Sequence, residues 1–296
     1  MYERVLIPTD GSDGALRAAR HGNALASAYD ATVHVLSVVD TGHYSEVLAD
    51  VDAAVRESRE ALEREAEEAI EDVREILQED LDVVTAVANG VPQEVILEYA
   101  AENDVDLVAM GTHGRSGLDR LLIGSVAERV VRTSDAPVLT ARNEPAPEDL
   151  PYDSVLVPTD GSDTAAAAAE HAIDIAERFG ATLHAVNVID VRVTSGLDTG
   201  AVVTDVMESL EATGRKAIEE VTESAESAGV DVESAVVRDY PAAGLREYTE
   251  DNGVDLIAMG THGRSGLDRF LLGSVAERMI RTSEVPVLSV RSPGEE

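Results

Sequence analysis

Two copies of a glycine-rich segment carry the residues best suited to bind a phosphate group. In both copies two residues separate the first two glycines, and a third glycine followed by serine comes after nine more. These positions are Gly111, Gly114, Gly124 and Ser125 in the first copy, and Gly260, Gly263, Gly273 and Ser274 in the second. Glycine lets backbone amides turn towards a ligand because no Cβ stands in the way. The free amides of a following helix start favour an anion, so the pattern predicts phosphate binding.

The two copies agree at their polar positions and differ at their apolar ones. Residues 111–139 and 260–288 align without gaps and are identical at 23 of 29 positions. Five of the six differences exchange one apolar residue for another, and the sixth exchanges Asp135 for Glu284. A segment that only filled a core would have no reason to keep its glycines and charges while its packing residues changed. We therefore infer that the kept residues are functional.

Both copies are positively charged within a strongly acidic chain. Residues 111–132 and 260–281 each contain four arginines and two acidic residues, a local charge of +2, and Arg115 and Arg264 belong to these groups. The whole chain carries a net charge of -35. A phosphate-binding loop accounts for the glycines, the helix start and the positive charge together.

An aspartate follows the first strand of each half, at Asp10 and Asp160, within the repeated sequence Pro-Thr-Asp-Gly-Ser. An ionised carboxylate only accepts hydrogen bonds, so it suits the hydroxyl pair of a ribose; shaping the turn is the alternative role. Because the chain has no Trp and only two Phe, we expect a base to lie among aliphatic side chains instead of stacking on an aromatic ring. The candidates are Val38 and Val39 in the first half, and Val188 and Ile189 in the second.

These residues lie at the ends of predicted elements that alternate along the chain. Apolar runs predict five strands in the first half, at 5–8, 32–39, 81–88, 106–110 and 137–142. Helices are predicted between them, and one covers 125–133. Asn89-Gly90 predicts a turn. Ser125 and Glu128 have the spacing of a capping box, a structural role that can coexist with phosphate binding.

The second half repeats this order, which predicts two tandem α/β domains. The segment 143–152 has three prolines and no periodicity, so it is predicted to link the domains 1–143 and 152–296. Strands separated by helices form a parallel sheet that is covered on both faces. For each domain we predict a doubly wound, Rossmann-like sheet of five parallel strands in the order 3-2-1-4-5. The ligand is then expected beyond strands 1 and 4, where the winding direction reverses.

Composition excludes several functional classes. The absence of cysteine excludes disulfides and thiolate metal sites. No apolar run approaches the roughly 20 residues of a membrane span, and the first residues lack the pattern of a secretory signal, so we expect a cytoplasmic location without membrane insertion. Lysine occurs once, and so many carboxylates with one lysine are typical of a surface adapted to molar salt. The net charge also argues against nucleic acid as a partner.

The two glycine signatures, the opening Val-Leu-(Ile/Val)-Pro-Thr-Asp-Gly-Ser and the closing Pro-Val-Leu strand resemble the universal stress protein family, in its tandem two-domain form. The acidic composition makes a halophilic archaeal member the nearest analogy. The resemblance covers nearly the whole chain. It implies binding of ATP, or of ADP or AMP, with Mg²⁺ accompanying the phosphates. It also implies an intramolecular pseudo-dimer of the two repeats, with a further homodimer as an open alternative.

The resemblance, combined with the interpretation of the residues above, assigns one nucleotide site to each repeat. Aspartate is placed at the ribose, the Met-Gly pair near the base or sugar, and the later glycines, Ser and Val at the phosphates. The first site comprises Pro8, Thr9, Asp10, Val38, Met110, Gly111, Gly114, Arg115, Gly124, Ser125 and Val126. The second comprises Pro158, Thr159, Asp160, Val188, Met259, Gly260, Gly263, Arg264, Gly273, Ser274 and Val275.

The function expected from these features is that of a nucleotide-binding sensor or regulator in a stress response. A slow ATPase or phosphoryl-transfer enzyme on the same fold is one alternative, and an interaction module without a nucleotide is another. The sequence contains no GxxxxGK[ST] loop, no zinc-protease helix and no recognisable catalytic triad. We therefore assign no catalytic residue, and we give His113 and His262 no chemical role.

Overall fold

The computed structural model describes residues 1–40, 52–114, 123–142, 152–194, 200–263 and 272–291. The chain divides into two units, Met1–Leu150 and Pro151–Glu296. The predicted linker lies almost entirely outside the described residues, as do Arg115 and Arg264. Among the helices of the described ranges, none has the length and apolar character that crossing a membrane would require.

The first unit contains a five-stranded parallel sheet with helices in the connections. Its elements are β1 (Arg4–Pro8), α1 (Asp13–Tyr29), β2 (Thr32–Asp40), α2 (Asp52–Arg74), β3 (Val83–Gly90), α3 (Pro92–Glu102), β4 (Leu107–Gly111), α4 (Ser125–Thr133) and β5 (Val138–Ala141). The strand order is β3-β2-β1-β4-β5, and each neighbouring pair is parallel. The predicted order 3-2-1-4-5 is therefore confirmed.

The second unit repeats this arrangement. Its elements are β6 (Ser154–Pro158), α5 (Asp163–Phe179), β7 (Thr182–Asp190), a short 3-10 helix (Val191–Thr194), α6 (Gly200–Ser227), β8 (Val232–Asp239), α7 (Pro241–Asp251), β9 (Leu256–Gly260), α8 (Ser274–Thr282) and β10 (Val287–Val290). Within this unit the order is β8-β7-β6-β9-β10, which is the same doubly wound topology. The strands are again parallel.

Buried strands and well-defined helix starts explain why these elements form. Leu6 and Val108, in the neighbouring strands β1 and β4, are fully inaccessible to solvent, as expected when helices cover both faces of a parallel sheet. Ser12 caps α1, because its Oγ accepts a hydrogen bond from the amide of Ala15 at 3.3 Å. Pro92 and Pro241 begin α3 and α7, where a missing amide proton costs nothing.

Two local predictions were wrong. Asn89 and Gly90 do not form a turn: they pair with Val39 and Asp40 as the last residues of β3, so strand pairing overrides the turn propensity of the dipeptide. The capping box at Ser125 does not form either. Gly124 is the N-cap of α4, and its carbonyl accepts from the amide of Glu128 at 2.9 Å, which leaves Ser125 one position too late to cap the helix.

The side-chain carboxylate of Asp106 joins the start of β1 to the start of β4 by hydrogen bonds. Asp106 Oδ2 accepts the amides of Glu3 and Arg4 at 2.8 and 2.9 Å, and the amide of Asp106 donates to the Arg4 carbonyl at 2.9 Å. Asp255 makes the matching contacts with the amides of Asp153 and Ser154 in the second unit. This contact sets the register of the two strands whose other ends flank the predicted site.

We expect Asp106→Ala to lower the free energy of unfolding by about 1–3 kcal/mol, because two backbone amides lose their shared acceptor. Urea denaturation measures the change. Asp104→Asn is the matched control, because Asp104 lies two residues away and makes only an exposed ion pair with Arg4 at 3.6 Å. Equal effects of the two substitutions would contradict a special role for Asp106.

Candidate functional site

A cavity of about 400 Å³ lies in the first unit at the C-terminal ends of β1, β2 and β4 and at the start of α4. This is the edge of the sheet at which the winding direction reverses, where ligands bind in open α/β sheets. The volume falls within the range of small-molecule sites. The sequence analysis predicts a ligand at this location.

Ten predicted residues of the first repeat line the cavity. They are Pro8, Thr9, Asp10, Val38, Met110, Gly111, Gly114, Gly124, Ser125 and Val126. The eleventh, Arg115, lies outside the described residues. The cavity therefore brings together, from four separate stretches of the chain, all the described residues of the eleven assigned to the first site.

Several lining residues were missed by the sequence interpretation. They are Ala15, Leu36, Asp40, Pro92, Ile96, Thr112, His113 and Ala127. Strand alternation could have found two of them: Leu36, Val38 and Asp40 occupy every second position of β2 and face the cavity together. Val39, which was expected beside the base, instead belongs to the buried core, at 4% exposure. The contribution of α3 had no signal in the sequence, because packing alone brings Ile96 to the cavity.

Thr112 joins the two ends of the glycine segment. Its carbonyl accepts from the amide of Gly124 at 2.8 Å, and its own amide donates to the Ala141 carbonyl in β5 at 2.9 Å. Its hydroxyl lies 3.0 Å from His113 Nδ1, and the residue is 1% exposed. The end of β4 is therefore fixed to the start of α4 across the cavity wall.

Asp10 projects from the end of β1 towards the same segment. Its Oδ1 accepts from the amide of Ser12 at 3.1 Å. A Cβ placed on Gly114 would lie 2.4 Å from Asp10 Oδ2, so the carboxylate touches the backbone at this glycine. Asp10 is exposed, which leaves a charged acceptor at the cavity edge.

The start of α4 supplies hydrogen-bond donors, in contrast to the acceptor at Asp10. Gly124, the N-cap, has an extended backbone (φ -63°, ψ 145°), and no side chain caps the helix. The first amides of a helix lack intrahelical partners, and Ser125, Val126 and Ala127 all line the cavity. Ser125 is exposed, and its hydroxyl adds another donor. An anion fits this end of the cavity.

The arginines of α4 and α8 pair within their own helices. Arg132 lies 3.4 Å from Glu128, and Arg281 lies 3.8 Å from Glu277. Each of these two arginines therefore has a carboxylate of its own helix beside it.

The second repeat places its predicted residues in the same geometry. The Thr261 carbonyl accepts from the Gly273 amide at 2.8 Å, and a Cβ on Gly263 would lie 2.7 Å from Asp160 Oδ2. Ser274 begins α8 without a side-chain cap. The remaining members follow the same pattern: Pro158 ends β6, Thr159 follows it, Val188 lies in β7, Met259 and Gly260 end β9, and Val275 is in the first turn of α8.

The two sites differ at particular positions. Thr164 replaces Gly14 and donates to the His262 carbonyl at 2.6 Å. Asn187 replaces Ser37 and donates to the Thr159 carbonyl at 2.7 Å. Asp190, which corresponds to the cavity-lining Asp40, is held by Arg192. The hydrogen bonds from Arg192 lower the pKa of Asp190 below its usual value.

With this geometry in place, comparison with known proteins identifies the class of protein. The model of the universal stress protein family matches residues 1–142 and 151–291. The chain therefore belongs to the universal stress protein family and contains two of its domains in tandem.

Relatives agree with this assignment. A universal stress protein of Methanocaldococcus jannaschii is 41% identical over 145 residues, which covers 49% of this chain and 85% of that protein. The crystal structure of a universal stress protein from Archaeoglobus fulgidus has the same fold, with a TM-score of 0.68, 24% identity, and coverage of 99% of this chain and 97% of that one. A further universal stress protein was solved in complex with cAMP; it is 26% identical, covers 48% of this chain and 98% of its own, and has a TM-score of 0.35.

The glycines of the signature divide into two kinds, and stability measurements can separate them. A Cβ on Gly111 would lie 2.7 Å from the backbone carbon of Gly14, in the first turn of α1. We expect Gly111→Ala to lower the free energy of unfolding by about 1–3 kcal/mol, because that backbone cannot move without disturbing α1. Thermal or urea unfolding of the purified variant measures the loss.

Gly114→Ala is the matched comparison. Among the described residues, its Cβ would meet the end of the Asp10 side chain, which can rotate away. We expect little change in stability, with the carboxylate displaced from its place. If Gly114→Ala destabilised the protein as much as Gly111→Ala, the distinction between packing glycines and site glycines would be wrong.

Proposed function

We propose that each repeat binds one adenine nucleotide, ATP or its products ADP and AMP, and that the protein acts in a stress response as a nucleotide-dependent sensor or regulator. The observation that carries this proposal is the pairing, across one cavity, of an exposed carboxylate at Asp10 with the uncapped start of α4 at Ser125. A nucleotide has the complementary groups: ribose hydroxyls that donate and phosphates that accept.

The phosphate end is supported by the donor set. The uncapped first turn of α4 presents the amides of Ser125, Val126 and Ala127 to the cavity. Glycine suits position 124 because a Cβ there would approach the Thr112 carbonyl at 3.0 Å, and having no side chain it leaves this turn uncapped. The family resemblance implies that Mg²⁺ accompanies the phosphates.

The base end is supported by the apolar lining. Leu36, Val38, Ile96 and Met110 surround the part of the cavity between β2, α3 and β4. Aliphatic side chains of this kind bury a planar ring by the hydrophobic effect. The ring then lies at the opposite end of the cavity from α4, and the ribose comes next to Asp10.

Three further expectations stay predictions from the resemblance and the composition. They are the pairing of the two repeats as a pseudo-dimer, the cytoplasmic location and the adaptation of the acidic surface to high salt. None of them is needed for the proposed ligand.

The proposal predicts two bound nucleotides per chain and a selective way to block each site. In calorimetric titration with ATP and Mg²⁺ in multimolar KCl, we expect a stoichiometry of two. Ser125→Asp should weaken the first site at least about tenfold, because a carboxylate beside the phosphates repels them. The same carboxylate favours the helix, since an acidic residue in the first turn complements the helix dipole.

Ser274→Asp is the equivalent substitution in the second site, and the double variant should bind ATP at least about tenfold more weakly at both sites. Thermal unfolding without nucleotide is the control, because both variants are expected to be at least as stable as the wild type. Folded wild-type protein that takes up no nucleotide would overturn the proposal, and so would a double variant that binds ATP like the wild type.

A further inference from the structure

The second repeat carries an aromatic residue at a position where the first has none. Tyr240 is the N-cap of α7 and is 53% exposed. The corresponding residue of the first repeat is Val91, which precedes Pro92 as Tyr240 precedes Pro241. An exposed tyrosine ring in a chain with so few aromatic residues invites a functional explanation.

Register places Tyr240 next to the residues expected at the base end of the second site. On adjacent strands, Asp190 of β7 pairs with Asp239 of β8, and Tyr240 follows directly. The first turn of α7 packs against β7, because a Cβ on Gly244 would lie 3.3 Å from Val188 Cγ1. The counterparts of Val188, Asp190 and Pro241 all line the cavity of the first repeat.

Arg192 holds the ring in place. Its Nε and Nη2 donate to both carboxylate oxygens of Asp190, at 2.9 and 2.5 Å, and its amide donates to Oδ1 at 2.9 Å. The guanidinium carbon then lies 5.9 Å from the centre of the Tyr240 ring, within the range of a cation–π contact. A bidentate pair of this kind fixes the guanidinium plane, so the arginine gives the ring a defined support.

The neighbouring glycines show that the two repeats solve the packing here in different ways. In the first repeat Gly90 leaves room for Val95, because a Cβ at Gly90 would come within 2.7 Å of Val95 Cγ2. In the second repeat Asp239 takes the place of Gly90, and Gly244 takes the place of Val95. The exchange is reciprocal, and it keeps the start of α7 close to β7 with Tyr240 beside it.

We propose that Tyr240, positioned by Arg192, forms a stacking platform for the nucleotide base in the second site, so that the second site binds base-containing ligands more tightly than the first. The inference rests on the proposed function and adds a difference between the repeats. Stacking on an aromatic ring accepts any base, because every base has a π face. The second site is therefore expected to bind any base more tightly than the first site does, with little preference for one base over another.

Single-site proteins test this inference. Ser125→Asp leaves only the second site, and Ser274→Asp leaves only the first. By calorimetry, we expect the second site to bind ATP at least about fivefold more tightly than the first, which is the lower end of what stacking contributes per base. In the protein that keeps only the second site, Tyr240→Val should remove this advantage, and Arg192→Gln should reduce it.

Two controls separate stacking from a general structural effect. Tyr240→Phe keeps the ring and should keep the affinity. Inorganic tripolyphosphate has no base, so its affinity for the second site should be unchanged by Tyr240→Val, whereas structural damage would weaken both ligands. The reciprocal Val91→Tyr in the protein that keeps only the first site should strengthen ATP binding.

The possible outcomes point in different directions. If the second site binds ATP and Tyr240→Val leaves that affinity unchanged, or weakens tripolyphosphate equally, the platform is wrong while the proposed nucleotide function stands. If neither single-site protein binds ATP, the proposed function falls and the platform falls with it. A loss confined to ATP, restored by Tyr240→Phe, supports the platform.

Discussion

The site depends on one backbone hydrogen bond, from the Gly124 amide to the Thr112 carbonyl at 2.8 Å, and on its equivalent from Gly273 to Thr261. Each bond joins the two ends of the glycine segment, so the helix that follows begins beside the end of β4 in the first unit and of β9 in the second. Thr112 and Thr261 are both 1% exposed, and a hydrogen bond in so dry a place is costly to break. The position of the helix amides is therefore fixed by the core of the domain.

The signature glycines gain distinct meanings from this arrangement. Gly111 allows the end of β4 to touch the backbone of α1, and Gly260 allows the end of β9 to touch the backbone of α5. Gly114 and Gly263 leave space for the carboxylates of Asp10 and Asp160. One motif thus combines residues required for packing with residues required for the site. A substitution within the signature cannot be interpreted until its effect on stability is known.

Duplication keeps the shared geometry and allows the rims of the two sites to diverge. The buried threonines, the glycine N-caps and the aspartates recur with nearly the same distances. One group of changes lies at the rim of the second site, where Arg192 contacts both Asp190 and Tyr240. Core positions are constrained by neighbours on every side, whereas a rim residue has a solvent-facing side and can change with less cost.

The sequence by itself determined the topology, the location of the site and most of its lining. Hydrophobic runs separated by helices leave few arrangements for a parallel sheet. A motif that occurs in both halves indicates which residues the site requires. The tertiary structure decided the details that depend on neighbours. It showed that Asn89-Gly90 extends a strand, because pairing with β2 satisfies its backbone groups. It also showed that Gly124, and not Ser125, caps α4, and that Leu36 and Asp40 reach the cavity while Val39 turns away. Ile96 enters the site, and Arg192 meets Tyr240, only through packing between elements far apart in sequence. Such contacts leave no local pattern in the sequence.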